Sequence, residues 1–160
     1  MSKPNDGPIS IRLPNDAHQS LLAYASSEGI SLSEAMLQAV YEFLKGKGTT
    51  DPVAAKRMQA EVELSKIVLA RADKIRDTQW GGDVTLELFD WIEKNHLDTY
   101  RRAVGASGDH SYRINPQLAK RFAYAINANY EPDAKGNATK TFLSRNANKL
   151  IQSYTRLRKP

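Results

Sequence analysis

The chain has 160 residues, 41% of them hydrophobic and 26% charged, with a net charge of +5. That length suits one globular domain or two small ones and excludes a large multidomain enzyme. With no cysteine and only His18, His96 and His110 as imidazoles, disulfides, thiol catalysis and thiolate metal sites are excluded, and neither a metal nor another cofactor is expected.

No apolar run approaches the roughly 18 residues that span a bilayer. The polar opening Met1-Ser2-Lys3-Pro4-Asn5-Asp6 lacks the apolar stretch of a secretory signal, so a cytoplasmic protein without a membrane partner is expected. The charge is unevenly divided. Residues 1–48 hold four basic and five acidic side chains, residues 49–100 hold seven and ten, and residues 101–160 hold twelve and three. A field of one sign in the last third points to a polyanionic partner.

In chain order, Pro8 to Leu13 alternates with period two. Ile9, Ile11 and Leu13 face one way, and Pro8, Ser10 and Arg12 the other, which predicts a half-buried strand. A lone strand leaves its backbone groups unpaired, so its expected partner is a second copy of itself. Pro14-Asn15-Asp16 then starts a helix whose stripe is Leu21, Leu22 and Ala25, ending at Gly29. Ser31-Leu32-Ser33-Glu34 fits a capping box. Behind it Leu32, Ala35, Met36, Ala39, Val40, Phe43 and Leu44 recur at helical spacing as far as Lys45-Gly46.

The string from Ile9 to His18, followed by Gly29-Ile30-Ser31-Leu32-Ser33-Glu34-Ala35, resembles the ribbon-helix-helix family of the Arc and MetJ type over about residues 8–46. The resemblance implies an intertwined dimer whose paired strands enter the major groove of DNA. Ser10 and Arg12 would then contact bases, and the start of the second helix, at Ser31, Leu32 and Ser33, would hold a phosphate. An arginine can donate two hydrogen bonds to guanine, so two Arg12 side chains per dimer would mark two guanines. One departure matters: the outer strand face carries a proline and a single charge, so dimerisation alone is the competing role for this module.

Lys45 to Thr50 is a polar linker, and Asp51-Pro52 reads as an N-cap with proline in the first turn. Gly46-Lys47-Gly48-Thr49-Thr50 lacks the spacing and the preceding strand of a phosphate loop. A domain boundary falls here, dividing 1–48 from 49–160. Val53 to about Arg76 predicts a long helix with Val53, Ala60, Leu64, Ile67, Val68 and Ile75 on one face and Met58, Val62 and Leu69 on the other. After Gly81-Gly82, Asp83 caps a helix from Val84 to His96 in which Trp91 packs a second core. His96 with Asp98, and Asp109 with His110, are acid–imidazole neighbours without a nucleophile or ligand set at recognisable spacing, so no catalytic residue is predicted.

Asn115-Pro116 predicts a further helix start, with Leu118, Phe122, Ala125 and Ile126 as its stripe. A last helix, about Thr139 to Arg158, places Leu143, Ala147, Leu150, Ile151, Tyr154 and Leu157 on one side. Arg145, Lys149, Gln152, Arg156 and Lys159 fall on the other, and Arg145, Lys149, Arg156 and Lys159 with Arg158 form a basic stripe suited to phosphates.

The expected fold is therefore mainly α: an N-terminal ribbon-helix-helix module, one strand and two helices, followed by an all-α domain with a basic C-terminal helix. The expected function is a homodimer, or a higher oligomer of dimers, that binds double-stranded DNA. The resemblance implies a bacterial, phage or plasmid repressor, or an accessory protein of plasmid transfer or partition. The alternative is a dimeric interaction or inhibitor protein whose basic C-terminal domain meets an acidic protein or RNA. For RNA, Tyr112, Tyr124, Tyr130 and Tyr154 are available for stacking.

Overall fold

In the computed structural model, residues 10–28, 30–48, 51–144 and 149–160 are described. The chain divides into two compact units, Met1–Phe43 and Leu44–Pro160. Among the described residues, six helices and four short strands follow one another as α1 Asn15–Ser27, α2 Leu32–Gly46, α3 Pro52–Ile75, α4 Val84–Asn95, α5 Leu97–Val104, α6 Ser111–Ala125, β1 Asn129–Tyr130, β2 Lys140–Phe142, β3 Ser153–Thr155 and β4 Leu157–Arg158.

The N-terminal unit departs from the ribbon-helix-helix arrangement. Helix begins at residue 15, residues 10–13 are in no strand, and every described strand lies at the C-terminal end. Pro8 and Ile9 lie outside the described residues. Alternation fixes only where side chains point; a strand exists through a ladder of N–H···O=C bonds to a neighbour, and residues 10–13 have none among the described residues. Pro14 instead caps α1, its carbonyl accepting from the His18 N–H at 2.9 Å. The capping box of α2 forms. The Glu34 N–H donates to Ser31 Oγ at 3.2 Å, and Glu34 Oε2 accepts from the Ser31 N–H and hydroxyl, each at 3.0 Å.

In the second unit, Asp51 caps α3 by accepting from the Val53 and Ala54 amides. Proline sits harmlessly behind it, where the helix has no bond for its missing N–H. Ala60, Leu64, Val68 and Ala72, four residues apart, bury one stripe of α3 against α5 and α6. The alanines let backbones approach. Ile67 and Ile75 are half-buried, whereas Val53 is exposed. Phe89 and Ile92 of α4, Tyr100 of α5 and Leu118 and Phe122 of α6 complete the core. Full burial of one such side chain contributes about 1.5–3 kcal/mol. Trp91 packs partly buried against this core, its ring edge-on to His96 at 4.7 Å and under the Arg71 guanidinium at 5.1 Å.

Three further expectations are corrected. Helix α5 is an additional element, with Tyr100, Ala103 and Val104 spaced for one buried face. Helix α6 starts at Ser111, not at Asn115, so Pro116 lies inside it. There it deprives the Tyr112 carbonyl of its helical partner at exposed residues, where water can substitute. Most consequentially, the second unit is not all-α. The segment read as a basic helix, Thr139 to Arg158, contains β2, β3 and β4.

The physical reason lies in composition and in long-range bonding. Thr139, Thr141, Phe142, Tyr154 and Thr155 are β-branched or aromatic and suit a pleated surface. β2 pairs antiparallel with β3 (Thr141 opposite Tyr154), and β1 with β4 (Tyr130 opposite Leu157). Between the pairs, Glu131 N–H donates to the Arg156 carbonyl at 3.0 Å, and Arg156 N–H to the Thr139 carbonyl at 3.0 Å. The Leu157 N–H donates to the Gly82 carbonyl at 3.1 Å, fastening the last strand to the loop ahead of α4. Among the described residues, no helix is long and apolar enough to cross a membrane.

Candidate functional site

Among its described residues the N-terminal unit buries only Ala25 and Ala35. Its larger apolar side chains converge instead on an open groove of about 400 Å³ lined by Ile11, Leu13, Ala17, Leu21, Met36, Ala39, Val40 and Phe43. Residues 11–13 form one wall, α1 a second and α2 a third. The amphipathic spacing of α2 puts Met36, Ala39, Val40 and Phe43 on one face, and that face lines the open groove. Phe43 is 63% and Ile11 53% exposed, which is costly for side chains of this size.

Arg12 stands between two groove-lining residues and is itself exposed, as is Ser10. Among the described residues no carboxylate pairs with Arg12. The expected phosphate contact is less open. Ser31 is engaged in the capping box, and the Glu34 carboxylate occupies the N-terminal end of α2, where it opposes an incoming anion. Leu32 is half-buried and Ser33 exposed, and their amides, like those of any first turn, fall outside the helix's own ladder.

The C-terminal cations do not form one stripe. Arg145 lies outside the described residues. Lys149 donates to Asp90 Oδ1 at 2.8 Å, a hydrogen bond that raises its pKa above the usual lysine value. Arg156 Nε lies 3.1 Å from Glu131 and 3.4 Å from Asp83. Lys159 donates to the Thr78 carbonyl at 2.5 Å and sits over the Trp80 ring at 5.8 Å. Arg158, exposed on β4 opposite Asn129, has no carboxylate partner among the described residues. A cation already facing a carboxylate offers less to a phosphate, so the count of positive charges overstates this surface.

The acid–imidazole neighbours are occupied elsewhere. His96 packs on Trp91, and His110 Nε2 meets the guanidinium of Arg57, which with Arg113 flanks Glu61. Among the described residues, no group of three or more acidic, histidine or cysteine side chains is placed to hold a metal. Comparison with family models, with curated proteins and with solved structures finds no match.

Most groove residues are apolar at a recognisable helical or alternating position, and Leu13, Leu21, Met36, Val40 and Phe43 are readable in that way. Ala17 is not, because an isolated alanine one turn ahead of Leu21 carries little signal. Their convergence on one open surface is tertiary information.

Proposed function

We propose that this protein is a homodimer that binds double-stranded DNA, with Arg12 and Ser10 contacting base edges. The observation that carries the dimer is the open apolar groove in a unit that, among its described residues, buries two alanines. A unit of this size rarely holds together on so little buried surface, and a second copy of the same groove supplies the missing apolar contact. Twofold association presents two Arg12 side chains, and a guanidinium pairing bidentately with guanine contributes about 1–3 kcal/mol of discrimination.

The charge balance supports a division of labour. The N-terminal unit holds two basic and five acidic side chains, a net of −3, whereas residues 44–160 hold 21 and 13, a net of +8. Affinity for phosphates irrespective of sequence therefore falls to the second unit, and base discrimination to Arg12. The Leu32 and Ser33 amides are retained as phosphate donors in this reading. The chemistry is that of a regulator or accessory protein acting on DNA, with no reaction step.

Light scattering and mobility shifts of the full chain on duplex DNA over a salt series test the proposal. A dimer at micromolar concentration and a shift that weakens with salt are expected. Arg12→Ala should relax sequence preference more than it lowers affinity for unrelated duplex. A monomer, or a chain that shifts no duplex at low salt, overturns it.

A further inference from the structure

Helix α6 is anchored from one side only. Ile114, Leu118 and Phe122 are buried in the core, while Tyr112, Pro116, Lys120 and Tyr124 are exposed at intervals of four residues. Each interval advances about 6 Å and turns about 40°, so the two tyrosines lie about 18 Å apart along the axis on a stripe that winds about 120° around the helix, with the lysine between them. Tyr124 is 81% and Tyr112 79% exposed, above every other large hydrophobic side chain among the described residues. Neither tyrosine side chain, nor Lys120, has a hydrogen bond, ion pair or ring contact there. No Asp or Glu occurs from His110 to Tyr130.

A tyrosine kept for packing buries its ring and finds its hydroxyl a partner, as Tyr100 and Tyr154 of the same unit do. Tyr112 and Tyr124 do neither. They present two flat, unoccupied π faces on a rigid helix, with one cation between them, in a unit of net charge +8. We propose that this face of α6 binds single-stranded nucleic acid, with unpaired bases stacking on Tyr112 and Tyr124 and a backbone phosphate meeting Lys120. Base stacking on aromatic side chains tolerates any sequence and requires bases that are not already stacked in a duplex. An acidic protein segment would call for several cations, and this stripe has one.

The test uses the full chain and a fluorescein-labelled oligothymidine of about 20 nucleotides, read by anisotropy across a salt series, with thermal unfolding as a check on folding. Tyr112→Ala and Tyr124→Ala should each weaken binding about tenfold, whereas the Tyr→Phe variants keep it, because the ring and not the hydroxyl makes the contact. Lys120→Gln should reduce the salt slope by about 0.7. The proposal is overturned if the folded chain does not bind oligothymidine, if the alanine variants bind as the unsubstituted protein does, if the phenylalanine variants lose as much as the alanine ones, or if polyglutamate competes as well as unlabelled oligothymidine. Oligothymidine and duplex are titrated separately on the same chain. Binding of oligothymidine without duplex therefore sinks the duplex proposal alone, and the converse sinks only this one.

Discussion

Tyr154 donates its hydroxyl to Asp83 Oδ1 at 2.8 Å, joining β3 to the residue that precedes α4 across 71 positions of sequence. Asp83 also faces Arg156 at 3.4 Å, so one carboxylate holds two residues of the C-terminal strands. Tyr154→Phe removes a hydrogen bond to a charged group while keeping the buried ring. A loss of about 1–2 kcal/mol in urea unfolding is expected. An unchanged midpoint and slope would show that water replaces the hydroxyl at no cost.

Tyr100 makes a second polar tie. Its hydroxyl donates to Asn115 Oδ1 at 2.9 Å and lies 3.3 Å from the Leu150 carbonyl, to which Asn115 Nδ2 also donates at 3.0 Å. Burial raises the Tyr100 pKa above the ordinary value near 10, outweighing the opposing effect of Asn115. The folded state therefore keeps a proton that the unfolded state gives up. The resulting stability is complete below about pH 10 and is lost as pH rises toward the folded value. Unfolding followed from pH 8 to 11 should show an alkaline decline that Tyr100→Phe makes shallower, at a cost near 1 kcal/mol at neutral pH. A decline equally steep in the variant would assign it to other groups.

Gly82 lies under the Arg156 guanidinium. A Cβ there would come within 2.8 Å of Nη2 and 2.9 Å of Nε, and 3.1 Å from the Glu131 carboxylate. Gly82→Ala should push Arg156 off its two carboxylates, at a cost of about 1 kcal/mol, because the displaced group is the end of a flexible and partly exposed side chain. In an Arg156→Ala background the same substitution should cost much less. A double-mutant cycle measures the difference, and additive losses would mean that the backbone, not the guanidinium, is displaced.

The groove of the N-terminal unit makes a prediction about concentration. Phe43→Asp puts a charge on its open face without disturbing a buried residue. If a second copy covers that face, sedimentation should show a dimer-to-monomer shift and a marked loss of helicity in the first unit, while the second keeps its own unfolding transition. Ser31→Ala breaks the capping box instead, and should cost about 1 kcal/mol of helix stability with no charge introduced into the groove. Equal self-association in Phe43→Asp and the unsubstituted chain would place the dimer contact elsewhere.

Helices α2, α3 and α4 were legible in the sequence, because each has an apolar stripe of regular period and α2 and α3 add a local cap (Ser31, Asp51), whereas the expected Asp83 cap does not form, its carboxylate accepting from Tyr154 instead. Both signals act over one or two turns, so the neighbouring residues are enough to specify them. The N-terminal alternation was equally visible, yet it did not amount to a strand, since pairing depends on a neighbour that local pattern does not name. At the other end, Ile151, Tyr154 and Leu157 recur every three residues, a spacing that fits a helix and equally fits a strand bending at Arg156. Only bonds from distant parts of the chain, Leu157 to Gly82 and Tyr154 to Asp83, decide for the strand. The basic character of residues 101–160 was likewise countable from composition. Which cations still face solvent was decided by tertiary structure, because Lys149 and Arg156 find carboxylates as far away as Asp90 and Asp83, brought to them by the fold.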